Sequence, residues 1–304
     1  MSVATKRILS AAMMVGLVVG ACSTSGSTTA PTGAPSTTAP GAATPSATEL
    51  AIAPPTSLIT PGKLVDCLDP TYPPMEFFPD GSDVTDVNQS AGFDVDAGRA
   101  IAKALGLEIE LRISAFDAVI PDLAAGRCDI VMTALFISEK RLEVADAVPY
   151  MATGHVVMVP VANPKGIAGP MDLCGKPVSF QSGGVVATRI EAASADCTAA
   201  GKPAIGMQGY PKLADVFQQI ALGRVEAVWD VDLGVADWQN RNPGQYEVAY
   251  LLPKDDVFGI YFQKSHPDVQ AALEAALRAL KADGTLAQIA QKYSIDPVTL
   301  DSIK

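Results

Sequence analysis

One pattern occurs twice in this chain. Residues 119–131, VIPDLAAGRCDIV, and residues 216–228, VFQQIALGRVEAV, each read as an amphipathic helix, a Gly-Arg stop, an acidic residue and a buried strand. A helix feeding a buried strand is the unit of an open parallel sheet. Two copies imply two lobes on similar α/β plans.

The flanking segments fit that reading. KLVDCL, from Lys63, is a short first strand, and EIELRI, from Glu108, alternates with the period of a strand. DPTYPPMEFF between them is rich in proline and reads as a loop with neither helix nor strand. Asp94 is expected to cap a helix that runs to Leu105, with Ile101, Ala102 and Leu105 on one face and Gly106 as its stop. A further helix has its main body from Pro121 and ends at Gly126, and CDIVMTA follows as a continuous buried strand.

The N-terminus has a different character. Lys6 and Arg7 precede an apolar run from Ile8 to Val19, too short to span a bilayer as a helix. Val19-Gly20-Ala21-Cys22 then resembles the lipobox of bacterial lipoproteins, which implies a signal peptide over 1–21 and lipidation of Cys22. Ser, Thr, Ala, Pro and Gly dominate the next residues, so 22–61 are expected to be a lipid-tethered, extended linker. The formal net charge of −11 disfavours nucleic acid and anionic lipid headgroups as partners.

The remaining cysteines are Cys67, Cys128, Cys174 and Cys197. None stands in a CxxC pair, and neither His155 nor His266 has metal-ligand neighbours, so no metal site and no cofactor is expected. Four cysteines in an exported chain imply two disulfides, with three possible pairings.

Ligands of open parallel sheets lie beyond the carboxyl ends of the strands. The first repeated strand runs out into LFISEKR, with Arg141 in the first turn of a helix capped by Ser138. The second runs out into Trp229-Asp230. A cation on one lobe and an anion on the other would suit a zwitterion, if the lobes face each other.

DPTYPPMEF, GFDVDAGRAIAKALG, FDAVIPDLAAGRCDIVM, SEKRLEVADAVPY, ALGRVEAVWD and VQAALEAALRALKADGTLAQIAQKY follow one another along the chain. Together they resemble the bacterial extracellular solute-binding proteins of family 3, which serve ABC importers of amino acids. The resemblance runs from about Gly62 to Tyr293. It implies a two-lobed periplasmic-binding-protein fold with largely parallel sheets and two hinge strands. Lobe 1 would be 62–151 plus 251–304, and lobe 2 would be 152–250. In such a fold the strand of Cys67 lies beside that of Cys128, while Cys174 and Cys197 flank one helix of lobe 2. Those are therefore the pairings it favours.

The resemblance also assigns ligand-binding roles, to Tyr72, Phe93, Ala134, Phe136, Arg141, Gly183, Gly184, Val185 and Asp230. Arg141 would fork onto an α-carboxylate, Asp230 would accept the α-ammonium with Asp232 as a nearby competitor, and Tyr72 and Phe93 would sandwich the ligand. Two departures stand out. Phe136 occupies a position where many members carry a Ser or Thr hydroxyl, and Gly183-Gly184-Val185 replaces Gly-Thr-Thr at a helix start. Backbone N–H groups at that helix start can still hold a carboxylate. Phe136 is expected to add a third aromatic face at the pocket and to favour a ligand with a larger apolar part.

The function implied is capture of an amino acid, expected to be polar, by a monomeric lipoprotein that delivers it to ABC permease subunits. A sensor that reports to a membrane kinase or receptor would use the same pocket. A dehydratase on this fold would need a placed acid or base, and the sequence offers no nucleophile–His pairing, so an enzyme is not expected.

Overall fold

A computed structural model describes residues 52–79, 86–252 and 256–304. The expected signal peptide, Cys22 and most of the expected linker lie outside the described residues. The chain builds β1 (Lys63–Leu68), the two-residue strands β2 (Thr71–Tyr72) and β3 (Glu76–Phe77), α1 (Phe93–Ala104), β4 (Glu108–Ile113), α2 (Val119–Ala124), β5 (Ile130–Val131), α3 (Glu139–Leu142) and β6 (Ala145–Thr153). It continues through β7 (His155–Pro160), β8 (Pro177–Gln181), α4 (Val185–Ala199), β9 (Gly206–Tyr210), α5 (Leu213–Ala221), β10 (Ala227–Val231), α6 (Asp232–Arg241) and β11 (Tyr246–Leu251). β12 (Asp256–Gln263), α7 (Pro267–Ala282) and α8 (Thr285–Lys292) complete it.

Ten of these strands form two five-stranded sheets, one in each lobe, and β2 pairs only with β3. One has the order β4-β1-β5-β12-β6, the other β9-β8-β10-β7-β11. In the first, β4, β1 and β5 run parallel, and β12 is antiparallel to both its neighbours. In the second, β9, β8 and β10 run parallel, and β7 is antiparallel to both its neighbours. Each sheet thus has four strands in one direction and one reversed, and β1-α1-β4-α2-β5 has its counterpart in β8-α4-β9-α5-β10. The repeated sequence falls on α2-β5 and on α5-β10, the same place in both halves.

The reversed strands are where the chain crosses. β6 leaves the first sheet and passes through Gly154 into β7, and β11 leaves the second sheet ahead of β12. The first sheet continues to Thr153, two residues beyond the expected lobe boundary at Met151, because β6 stays paired with β12 as far as Thr153 opposite Asp256.

The core follows the apolar patterning. α7 buries Val269, Leu273, Ala276, Leu277 and Leu280 along one face and packs against α1. Each buried Val or Leu there contributes roughly 1.5–3 kcal/mol by leaving water. Trp229 is the largest fully buried side chain and anchors the second lobe. Disulfides join Cys67 to Cys128 (Cα–Cα 5.7 Å) and Cys174 to Cys197 (5.6 Å). No helix among the described residues is long and apolar enough to cross a membrane.

Four local expectations need correction. The folded part begins before Gly62: Thr56 and Ser57 donate four hydrogen bonds to the Asp268 carboxylate, and Ile59 N–H donates to Asp129. The proline-rich segment contains the β2–β3 hairpin, with Pro73 and Pro74 in its turn, where a missing N–H costs no ladder bond. The strand expected from CDIVMTA is regular only at Ile130–Val131. Asp94 does not cap α1. Gly92 is the N-cap, and at its φ of +130° a Cβ would collide with the backbone carbonyl of Met75. The Asp94 carboxylate turns inward, accepting from Ala134 N–H at 2.6 Å and Tyr150 O–H at 2.8 Å.

Candidate functional site

Where the lobes meet, two groups from the repeated strand ends come into view. Asp230, at the end of β10, is buried. Its Oδ1 accepts from Val231 N–H at 2.8 Å and lies 3.5 Å from the Tyr72 hydroxyl of the other lobe. Its Oδ2 has no protein partner among the described residues. Burial pushes its carboxyl up to about 7, against the hydrogen bond from Val231. An incoming cation at Oδ2 would supply what the protein leaves out.

Arg141 sits in α3, whose first turn is capped by Ser138: the Ser138 hydroxyl accepts from Arg141 N–H. Its guanidinium is held by main chain. Nη1 donates to the Phe136 carbonyl at 2.8 Å, and Nη2 crosses the lobe boundary to the Gly183 carbonyl at 3.3 Å. No carboxylate lies within ion-pair distance of it among the described residues, and burial lowers its pKa below the ordinary value. The Tyr261 hydroxyl, which donates to the same Phe136 carbonyl, also lies against the guanidinium. A half-desolvated guanidinium with no carboxylate partner among the described residues is a ready anion site.

Gly183, at φ +82°, and Gly184 precede α4, whose N-terminus has no side-chain cap. Uncapped N–H groups at the start of a 15-residue helix favour negative charge. A methyl on Gly184 would lie 3.6 Å from Phe116, and one on Gly183 would lie 3.2 Å from Asp117 Cβ. Phe116 therefore stands against this turn from the opposite lobe. A cleft of about 870 Å³ opens alongside, lined in part by Asp69, Thr71, Phe116, Asp117, Ser182 and Lys212. Arg141 and Asp230 are not in its lining; it reaches their surroundings through Thr71 and Ser182, the chain neighbours of Tyr72 and Gly183.

The structure brings Tyr72, Arg141, Gly183, Gly184, Val185 and Asp230 to this boundary, but not Phe93. That ring, at the first turn of α1, is 1 % exposed and stacks on Tyr150 with centroids 6.2 Å apart, inside its own lobe. Its helix turns it inward, and Phe116 is the ring at the lobe boundary instead. Phe116 opens the stretch FDAVIPDLAAG, where only its place just ahead of a helix marks it in the sequence. Phe136 also departs from expectation. Its ring is held between His155 (4.9 Å) and Phe258 (4.7 Å), so it packs the crossing strands and adds no third face to the cleft. Asp232 begins α6 and accepts from the Thr153 hydroxyl at 2.6 Å, which separates its role from that of Asp230.

Ala134, at φ +46°, is fixed from behind by acidic groups. Its N–H donates to Asp94, and neighbouring Thr133 donates to Glu76 at 3.0 Å while accepting from Asp69 N–H. Glu76 and Asp94 hydrogen-bond each other, and burial pushes both carboxyls up, Asp94 to about 7. Two buried carboxyls in contact retain a proton between them. No cluster of three or more metal-ligating side chains exists among the described residues.

Residues 64–296 match the family described as Bacterial extracellular solute-binding proteins, family 3. The chain belongs to this family. The L-cystine-binding protein TcyJ of Escherichia coli (strain K12) is 26 % identical over 233 residues, covering 76 % of this chain and 82 % of that protein. Arginine-binding protein ArgT of Corynebacterium glutamicum is 28 % identical over 249 residues, covering 81 % of this chain and 79 % of the relative. A solved ancestral arginine-binding protein bound to arginine superposes with a TM-score of 0.68 at 27 % identity, over 76 % of this chain and 98 % of the other. The fold is thus that of two-lobed amino-acid-binding proteins, and the relatives matched are binding proteins for amino acids.

Proposed function

We propose that this chain is the extracytoplasmic capture protein of an ABC importer, anchored by a lipid on Cys22, and that it closes on a polar amino acid. Arg141 takes the α-carboxylate, helped by the N–H groups at the start of α4. Asp230 takes the α-ammonium, and Tyr72 with Phe116 walls the ligand from water. The observation that carries this reading is the pairing of two incomplete charges from opposite lobes: Asp230 with a bare Oδ2, and Arg141 with no carboxylate partner among the described residues. A zwitterion completes both at once and only when the lobes are together, so binding favours the closed form. The relatives matched are binding proteins, which supports a binder over an enzyme.

The relatives that bind arginine and cystine set the order of trial. A thermal-shift screen of the full chain against every proteinogenic amino acid and L-cystine should give one clear hit. At a hundredfold excess over Kd the stabilisation is about 2.7 kcal/mol. No shift with any of them would refute the proposal.

A further inference from the structure

The two chain crossings converge on one side-chain cluster. His155, the first residue of β7, is fully buried, and its Nε2 lies 3.2 Å from Asp256 Oδ2, at the start of β12. The approach is close but lacks the alignment of a hydrogen bond. Arg189, on the second turn of α4, places Nη2 2.6 Å from both oxygens of Asp256. The other side of the imidazole stacks on Phe136.

These contacts close a ring. Arg141 holds the Phe136 carbonyl, and the Phe136 ring meets His155. His155 meets Asp256, and Asp256 meets Arg189 on α4. The residues just before α4 return to Arg141 through the Gly183 carbonyl. The ring alternates between lobes, and two of its joints lie on the crossing segments themselves. Separation of the lobes must therefore strain or break several of its members together.

We propose that Phe136, His155, Asp256 and Arg189 form a closure clasp, which sets the balance between open and closed lobes before any ligand arrives. The clasp holds α4 by Arg189 so that its N-terminus faces Arg141. These four are positioning residues. They bias the lobes and leave direct ligand contact to other groups. The link to ligand affinity rests on the role proposed for Arg141, whereas the bias toward closure does not. Binding proteins that close on a ligand are limited by the fraction of competent conformer, so a pre-set bias changes apparent affinity without a new ligand contact.

The test uses the full chain without ligand, spin-labelled at the exposed positions Lys103 and Gln218, one on each lobe. Double electron–electron resonance reports the distance distribution. The wild type should show a short-distance population, and Asp256→Asn should reduce it by about threefold or more. Arg189→Met should do likewise, and the double variant should go no further than the larger single effect, since both break one clasp. Arg189→Lys, which keeps the charge but not the reach and planar shape of the guanidinium, should fall between. An unchanged distribution in Asp256→Asn, or a wild type with no short-distance population, overturns the proposal. A lowered melting temperature with unaltered distances also overturns it, because that is a structural role only. Ligand affinity unaffected by Arg141→Ala would instead remove the ligand reading and leave the clasp standing.

Discussion

Tyr72 and Asp230 meet across the lobe boundary, the phenol oxygen 3.5 Å from the carboxylate Oδ1. Burial at this boundary is what raises the pKa of that carboxylate. Burial and then the negative charge of Asp230 push the Tyr72 phenol up as well, which keeps it a donor at any physiological pH.

Asp230 therefore makes the unliganded protein sensitive to pH. Its carboxyl titrates at about 7 when folded, against 3.8 ordinarily. Between those values the native state keeps a proton that the unfolded chain has released, so stability falls as pH rises. The wild type should lose up to about 4 kcal/mol over that window relative to Asp230→Asn. Asp94 shifts the same way, but it is common to both proteins and cancels in the comparison. Denaturant melts of both proteins from pH 4 to pH 8 check this, and parallel curves would contradict it. A bound ammonium favours the ionised form, so binding near pH 6 should release a proton, measurable by calorimetry in buffers of different ionisation enthalpy.

Phe93 and Phe116 should separate stability from binding. Phe93→Ala leaves a hole beside Tyr150 and should cost about 3–5 kcal/mol of stability. Phe116→Ala, at a half-buried ring, should change stability by about 1 kcal/mol while weakening ligand affinity roughly tenfold or more. Chemical denaturation and calorimetry on the two variants decide between them. The reverse pattern would return Phe93 to the ligand.

Cys174–Cys197 closes a loop of 23 residues within the second lobe. Replacing both by alanine should lower stability by about 3 kcal/mol through the freed unfolded chain. Cys197 lies near the C-terminal end of α4, the end opposite the helix start assigned to the ligand, so ligand affinity should hold within about twofold. Differential scanning calorimetry with a binding assay tests both halves.

The plan of the fold was legible because periodicity and punctuation carry it. KLVDCL and EIELRI became β1 and β4 without adjustment, and the repeat announced two matching halves. Arg141 and Asp230 were readable because they follow the repeated strands. The sequence could not separate Phe93 from Phe116, since each is a phenylalanine followed by aspartate near a helix start. Which ring faces inward depends on what packs over the helix. Asp94 looks like a helix cap by composition, but Ala134 and Tyr150, both distant in sequence, claim its oxygens. His155 and Asp256 lie far apart along the chain and meet only because both crossings share one hinge.

Calorimetry on a single pair of ligands tests the central claim most directly. The amino acid that gives the largest thermal shift is compared with its decarboxylated amine, in the wild type and in Arg141→Ala. The wild type should prefer the amino acid by about 2–4 kcal/mol, and Arg141→Ala should bind both weakly, within about threefold of each other. If Arg141→Ala keeps the wild-type preference for the carboxylate, Arg141 is not the clamp and the zwitterion account fails.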